Sequence, residues 1–344
     1  MKILGIETSC DETAAAVVED GVQILSNVVV SQIDIFAEYG GVIPEVAARS
    51  HLEAMMPVVN KALSDAGCIW EDIDAIAVTH APGQLGSLLI GTLTARTLAI
   101  LHDKPLYAVH HLKSHVYANW LGCADFENTP TFPLIALVVS GGHTQILYMP
   151  AHNQFEIIGT TRDDAVGECF DKVAKILGLP YPGGPAIAKA ALEGDAEKYK
   201  LPHPKIEGLD FSFSGLKTAV LRAVQKELGL PISHPSHDLK NHLSKKQVAD
   251  FAASFQKTAV EILCEKLALA LEQYPDVQSV VIAGGVSANK ALREALPEAY
   301  FPAPALSGDN GAMVAAAAYY EIISGVEPTD PYSLNIYPRI SIEK

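Results

Sequence analysis

The chain has 344 residues, 49% of them hydrophobic, with a formal net charge of −15, which suits two domains of ordinary size and excludes a wholly disordered chain. Its acidity argues against broad nonspecific binding to nucleic acid, while leaving room for a local basic patch or a partner that supplies one. Five cysteines stand singly, at Cys10, Cys68, Cys123, Cys169 and Cys264, a pattern of free thiols in a reducing cytosol rather than a disulfide framework or a zinc knuckle.

The apolar run after Lys2 is too short for an export signal, and no stretch of 18 apolar residues is free of charge, so the expectation is a cytoplasmic protein without a membrane span. Residues 2–7 and 14–19 read as strands, Asp20-Gly21 as a hairpin turn and 22–30 as a third strand. Pro44 suits the first position of a helix reaching about residue 66. A short apolar strand at 75–78 and a helix at about 85–101 follow. The order then returns: strands at 134–139, 143–149 and 154–160, helices near 165–177, 184–193, 213–228 and 245–273, a strand at 279–283, and helices near 288–296 and 311–323. Between two of these helices, 229–246 (GLPISHPSHDLKNHLSKK) reads as an exposed polar excursion. On composition alone its three histidines are more readily solvent-facing residues than metal ligands.

Strand–strand–strand–helix–strand–helix thus occurs twice, and even the loops correspond: THAPGQLGSL closes the late strand of the first half and AGGVSANKAL that of the second. Two mixed-sheet α/β lobes face each other across a cleft where strand ends and helix starts converge. By fold analogy this is the plan of the actin, sugar-kinase and heat-shock ATPase superfamily, with duplicated ribonuclease-H-like lobes; analogy of this kind does not fix a reaction. The expected division is a first lobe over 1–130, with a metal-binding helix near its end, and a second over 131–344 with helical insertions at about 165–275.

In VHHLKSHVYANW, His111 and His115 are four residues apart, so on a helix both imidazoles leave one face and can share a divalent metal; two surface histidines at a helix start are the competing reading. The zinc-protease motif would need Glu where Leu112 stands. Asp309 enters an alanine-rich helix, either as its N-cap or as a third ligand reaching the cleft, and two His with one carboxylate suit Fe or Zn. Val138, Val139, Ser140, Gly141 and Gly142 lead a buried strand into a hairpin, which is an ordinary tight turn or a place where a ligand lies against backbone N–H groups. Gly284-Gly285 with Asn289, and Gly183-Gly184, are further glycine-led helix starts. Three such loops at equivalent cleft positions favour a nucleotide, although none is a P-loop. Asp171 is a ribose acceptor or a helix-start charge. Glu7, Asp11 and Glu12, in ETSCDET, are either a solvated acidic turn or include a base.

In order, ETSCDET, GGVIPEVAARSHLE, HHLKSH, VSGGHT, GECFDKVAKILGLPYPGGP, FSFSGLKTAV, AGGVSAN and SGDNGAM closely resemble the bacterial TsaD family, the tRNA N6-adenosine threonylcarbamoyltransferases, from Lys2 to about Ala318. The chain departs from relatives in a short segment between Asn289 and Asp309 and in 229–246. The resemblance implies transfer of the threonylcarbamoyl group from threonylcarbamoyl-AMP to N6 of adenosine 37 in tRNAs reading codons that start with A, with AMP released. It implies one divalent metal, iron or zinc, on His111, His115 and Asp309. It also implies a substrate pocket from Val138 to Gly142 with Asp171, Gly184 and Asn289, and two partners, a TsaB-like paralogue and a TsaE-like ATPase. Asp11 is offered as a proton acceptor or nucleophile-positioning group. The other readings are a non-catalytic scaffold paralogue, which the presence of both histidines and Asp309 disfavours, and an ATPase of the same superfamily.

Overall fold

A computed structural model describes residues 1–123 and 129–343; residues 124–128, the stretch just before the expected lobe boundary at 130/131, and Lys344 lie outside the described residues. The first sheet has the order β3-β2-β1-β4-β5. Its strands are β1 (Lys2–Glu7), β2 (Glu12–Glu19), β3 (Gln23–Ser31), β4 (Ala75–Ala81) and β5 (Leu106–His110). β1 pairs antiparallel with β2 and parallel with β4, and β4 pairs parallel with β5. The helices between are α1 (Ile33–Tyr39), α2 (Pro44–Asp65) and α3 (Leu85–His102), and α4 (His111–Tyr117) leaves the end of β5.

The second sheet repeats the plan in the order β8-β7-β6-β9, from β6 (Leu134–Val139), β7 (Thr144–Met149), β8 (Glu156–Thr160) and β9 (Ser279–Ala283). Between β8 and β9 run α5 (Val166–Leu177), α6 (Gly183–Ala191), α7 (Ser214–Glu227) and α8 (Lys245–Gln273); α9 (Lys290–Ala295) and α10 (Gly311–Ile323) follow. The architecture is the duplicated actin, sugar-kinase and heat-shock ATPase fold, as the two mixed sheets and their repeated order require. Two elements were not foreseen, α1 and β5, and β5 has no counterpart in the second sheet.

The continuous apolar runs of the strands follow from cover on both faces. In β1 and β2, Leu4, Ile6, Ala15 and Val17 pack with Met55, Val59 and Leu98 of α2 and α3, while Ile3 and Ala16 face the opposite way, into a core shared with Leu134, Ala136 and Val138 of β6. The other side of β6, at Ile135, Leu137 and Val139, meets α5, α7 and α8. The shared middle layer is filled by α10, whose Ala315 to Ala318 are all buried. A Cβ on Gly5 would lie 2.2 Å from the Gly311 carbonyl oxygen, and one on Gly311 2.6 Å from the carbonyl carbon of Ala15. The last helix of the second half is therefore seated directly on the first sheet, and its start, with Asp309 just before it, is delivered to the cleft.

By length and composition alone, α3 would suit a membrane. Here it packs on β4 and α2, and Arg96 within it donates to the carbonyls of Pro331 and Tyr332.

Candidate metal centre and substrate cleft

His110, at the end of β5, caps α4: its Nδ1 accepts from the Leu112 N–H at 3.2 Å. His111 and His115 follow on one face of the helix, with ring centroids 4.6 Å apart. The cap of α10 is Asn310, whose Oδ1 accepts from the Met313 N–H at 3.0 Å, so the carboxylate of Asp309 is free of that duty. Asp309 Oδ1 lies 3.1 Å from His115 Nε2 and 3.7 Å from His111 Nε2, and one ligand atom from each of the three residues falls within 4.8 Å of the others. His115 is 1% exposed, and neither of its ring nitrogens makes a well-formed hydrogen bond: Nδ1 has no partner among the described residues, and Nε2 has only the 3.1 Å approach of Asp309. Buried polar nitrogens left so are costly, and two imidazoles with one carboxylate are a donor set for a divalent metal that keeps open positions. The residues present therefore fit such an ion.

Glu7, fully buried at the end of β1, supports the centre from behind. Its Oε2 accepts from Thr79 Oγ1 at 2.6 Å and stands 3.2 Å from His111 Nδ1. Its Oε1 accepts from the Ser9 N–H, and Ser9 Oγ is itself 3.2 Å from His111 Nδ1. A carboxylate on Nδ1 fixes the tautomer that presents Nε2 outward. Glu7, which the sequence places with Asp11 and Glu12 in one acidic turn, is set apart from a solvated turn by its complete burial. His51, from the GGVIPEVAARSHLE motif, pins the same turn: Nδ1 lies 2.8 Å from Thr13 Oγ1 and Nε2 2.9 Å from the Cys10 carbonyl oxygen.

Asp11 is nearly buried at 9% exposure, so the acidic turn is not a solvated one. The carboxyl of Glu12 is pushed up to about 9, by burial first and then by the negative charge of Asp309 and Asp11. Burial, followed by Asp11 and Asp171, also raises the phenol of Tyr181. Asp11, Glu12, Asp171, Tyr181 and Asp309 thus feel one another across one cleft. Burial opposes ionisation of Asp309, but His111 and His115 outweigh it and hold the carboxyl below its ordinary range.

The second half supplies the opposite wall. Val138 and Val139 are fully buried in the cores on either side of β6, so only their backbone is available to a ligand. Gly141 and Gly142 are exposed at the hairpin tip, which Ser140 closes by accepting from the His143 N–H at 3.1 Å. A Cβ on Gly167 would lie 2.6 Å from the Ser140 carbonyl oxygen, and one on Gly284, at φ 87°, would lie 2.5 Å from that of Val139. Three of the sequence motifs therefore meet at the end of β6. Gly184 faces open space. Asp171 Oδ1 accepts from the Gly183 N–H at 2.7 Å, holding the start of α6. The side chain of Asn289 is engaged within the protein, accepting from the Leu292 N–H at 3.2 Å and donating to Gln256 Oε1 at 2.9 Å. His143, quoted in VSGGHT but given no role, is a member of the cleft: its imidazole is pushed down to about 4 by burial and then by the positive charge of His111 and His115.

Such a cleft can hold a divalent ion on one wall and an anionic group against exposed glycine N–H groups on the other. Comparison with known proteins agrees. Residues 23–316 match the family model described as TsaD: tRNA N6-adenosine threonylcarbamoyltransferase. The chain is similar, at 49% identity over 99% of its length and 96% of the other, to a tRNA N6-adenosine threonylcarbamoyltransferase of Symbiobacterium thermophilum. At 48% identity over 95% and 93% of the two lengths, it resembles one from Thermomicrobium roseum. Among solved structures, the (R)-2-hydroxyglutaryl-CoA dehydratase component A of Acidaminococcus fermentans aligns over 94% of this chain and 99% of its own, with TM-score 0.50 at 16% identity. The activator of the 2-hydroxyisocaproyl-CoA dehydratase from Clostridium difficile aligns over 94% and 96%, with TM-score 0.51 at 15% identity. At those identities the two share the fold.

Proposed function

The chain belongs to the TsaD family of tRNA N6-adenosine threonylcarbamoyltransferases, and from that premise we propose that the cleft between its two sheets is where the threonylcarbamoyl group passes to tRNA. The enzyme forms N6-threonylcarbamoyladenosine at adenosine 37 of tRNAs reading codons that start with A, from threonylcarbamoyl-AMP, with release of AMP. The observation that supports the site is the buried His115, whose Nδ1 has no partner among the described residues and whose Nε2 meets the Asp309 carboxylate beside His111. The family implies a divalent metal; we assign it to these three residues, as iron or zinc. When bound, it supplies Lewis acidity toward an oxygen of the threonylcarbamoyl group.

The rest of the chemistry falls to side chains and backbone. An exocyclic adenine amine is a weak nucleophile, so holding it against the carbamoyl carbon supplies much of the rate. The new bond joins N6 to that carbon, the bond from the carbon to the phosphate oxygen breaks, and the electron pair leaves with AMP. The exposed N–H groups of Gly141 and Gly142 and the open backbone at Gly184 suit the phosphate of the leaving group. The backbone of Val138, Val139 and Ser140 lines the same wall. Asp171 acts through the α6 start that it holds, and Asn289 through the α9 start that it caps. Asp11 is proposed to accept the N6 proton. Glu7 orients His111.

The tRNA is too large and too anionic for a chain of net charge −15 to hold alone, which supports dependence on partners. On α2 and α3, Leu52, Met56, Leu85, Leu89 and Leu93 recur at helical spacing with 42–68% exposure, and such an apolar face suits the helices of a TsaB-like paralogue. A TsaE-like ATPase is proposed from family membership. The lobes are proposed as 1–130 and 131–344, each carrying one sheet, and the compartment as the cytoplasm, where the five thiols, all free among the described residues, stay reduced. The curated relatives do not favour a non-catalytic scaffold or an ATPase. The test is transfer to matched tRNAs carrying A37 or G37: product on A37 alone is expected, and product on neither, with partners verified active, would overturn the assignment.

A further inference from the structure

We propose a second metal site, unrelated to the transfer centre, in the excursion between α7 and α8, made by His234, Asp238 and His242 and suited to Zn2+ or a similar borderline cation. The sequence spaces the three residues four apart, H-x3-D-x3-H, in a segment of turns whose one helical piece is the 3-10 turn Leu239–Asn241. In the structure, Asp238 Oδ2 receives both imidazoles at once: it is 2.9 Å from His234 Nε2 and 3.0 Å from His242 Nε2. One ligand atom from each residue lies within 4.8 Å of the others, as at the transfer centre. The edge of a zinc tetrahedron with bonds of about 2.0–2.1 Å is roughly 3.3 Å, so the two carboxylate–imidazole separations need to open by only about 0.4 Å. Two neutral imidazoles and one carboxylate are ordinary zinc ligands, and with three protein ligands the fourth position stays with solvent.

The cluster is held in place. Gln225 Nε2 donates to the carbonyls of Ile232 and His234, both at 3.1 Å, and Arg222 Nη1 donates to that of Ile232 at 3.0 Å. The Asp238 and His242 N–H groups bond to the carbonyls of Pro235 and Leu239. Leu239, between the ligands, is fully buried and packs in the second-half core. Asn241 Nδ2 donates to Asp238 Oδ1 at 2.9 Å, leaving Oδ2 to the histidines. An apolar anchor beneath, a positioned carboxylate and two imidazoles converging on one oxygen are what a small site needs in order to exist before its ion arrives. Entry of the ion requires the tautomer of each neutral imidazole that carries its proton on Nδ1, so each Nε2 proton moves to Nδ1 by exchange through solvent, the freed Nε2 lone pairs take the ion, and the ion clips the turn together.

The test is zinc binding to the whole chain after stripping by chelator, by equilibrium dialysis against Zn2+ alone. Wild type is expected to bind two ions, the His111→Ala/His115→Ala variant one, and the His234→Ala/His242→Ala variant one. Asp238→Asn, which keeps the shape of the side chain, is expected to weaken the second site at least tenfold. Zn2+ should slow proteolysis within 229–246 in wild type and in the His111→Ala/His115→Ala variant, but not in the other. Unchanged stoichiometry and unchanged proteolysis in the His234→Ala/His242→Ala variant, with its circular dichroism intact, would overturn the proposal while leaving the transfer centre untouched.

Discussion

Glu7 Oε2 stands 3.2 Å from His111 Nδ1, and both residues are buried where β1 ends and α4 begins. The carboxylate sets which ring nitrogen carries the proton, so Nε2 turns toward Asp309. Glu7→Gln keeps the volume but weakens that control. The expected result is a loss of about 10–100-fold in metal affinity or transfer rate, with the fold retained, read by metal titration beside a rate assay. Wild-type values for both would remove Glu7 from the centre.

Asp309 is the one acidic member of the triad, and its separation from His115 Nε2 is 3.1 Å. Asp309→Asn should leave α10 intact, because Asn310 makes the cap, and should lower bound metal at least tenfold. Elemental analysis of the purified variant checks this. A melted α10 with metal retained would reverse the division of labour between the two residues.

Glu321 in α10 is buried 3.7 Å from Lys113 Nζ, and burial, opposed by Lys113, pushes its carboxyl from 4.5 up to about 7. The unfolded chain therefore releases this proton first. The group's contribution to stability is full below about pH 4.5 and declines as pH rises to about 7, by on the order of 3 kcal/mol. Wild type should lose more stability between pH 5 and 7.5 than Glu321→Gln in denaturant titrations. Parallel curves would contradict the buried-acid account.

Gly311 lets α10 begin against β1 and β2, with only 2.6 Å for a Cβ before the backbone of Ala15. Gly311→Ala should cost about 1–3 kcal/mol by overpacking, seen as a lower midpoint in urea. Because the same helix start carries Asp309, transfer should fall as well. An unchanged midpoint would mean that the helix can lift without cost.

The exposed leucines of α3 give a separate prediction. Leu89→Asp/Leu93→Asp, at 43% and 44% exposure, should leave the melting temperature within a few degrees and abolish association with the TsaB-like paralogue in gel filtration. Intact association would move the partner to another face.

Much of this could be read from the residues. The strand runs are apolar enough to be covered on both faces, and the repeated order of elements gives two sheets. The four-residue spacing of His111 and His115 gives a shared helix face. What the sequence hides is relation at a distance. β5 is only five residues long and follows Lys104-Pro105, so it carries little pattern of its own. α1 has seven residues and no side-chain cap. Asp309 and Asn310 are adjacent and both can cap a helix, and only the structure divides the roles. Asn289, a member of the implied substrate pocket, spends its side chain on a helix cap and Gln256. Two of the three histidines of 229–246, His234 and His242, unremarkable by composition, converge on Asp238 above a buried Leu239.

The most direct test of the central claim is a transfer assay with threonylcarbamoyl-AMP, an A37-bearing tRNA and both partners, comparing wild type with His111→Ala/His115→Ala. The account predicts threonylcarbamoyladenosine from wild type and a drop to background from the variant. Equal product from both would contradict it.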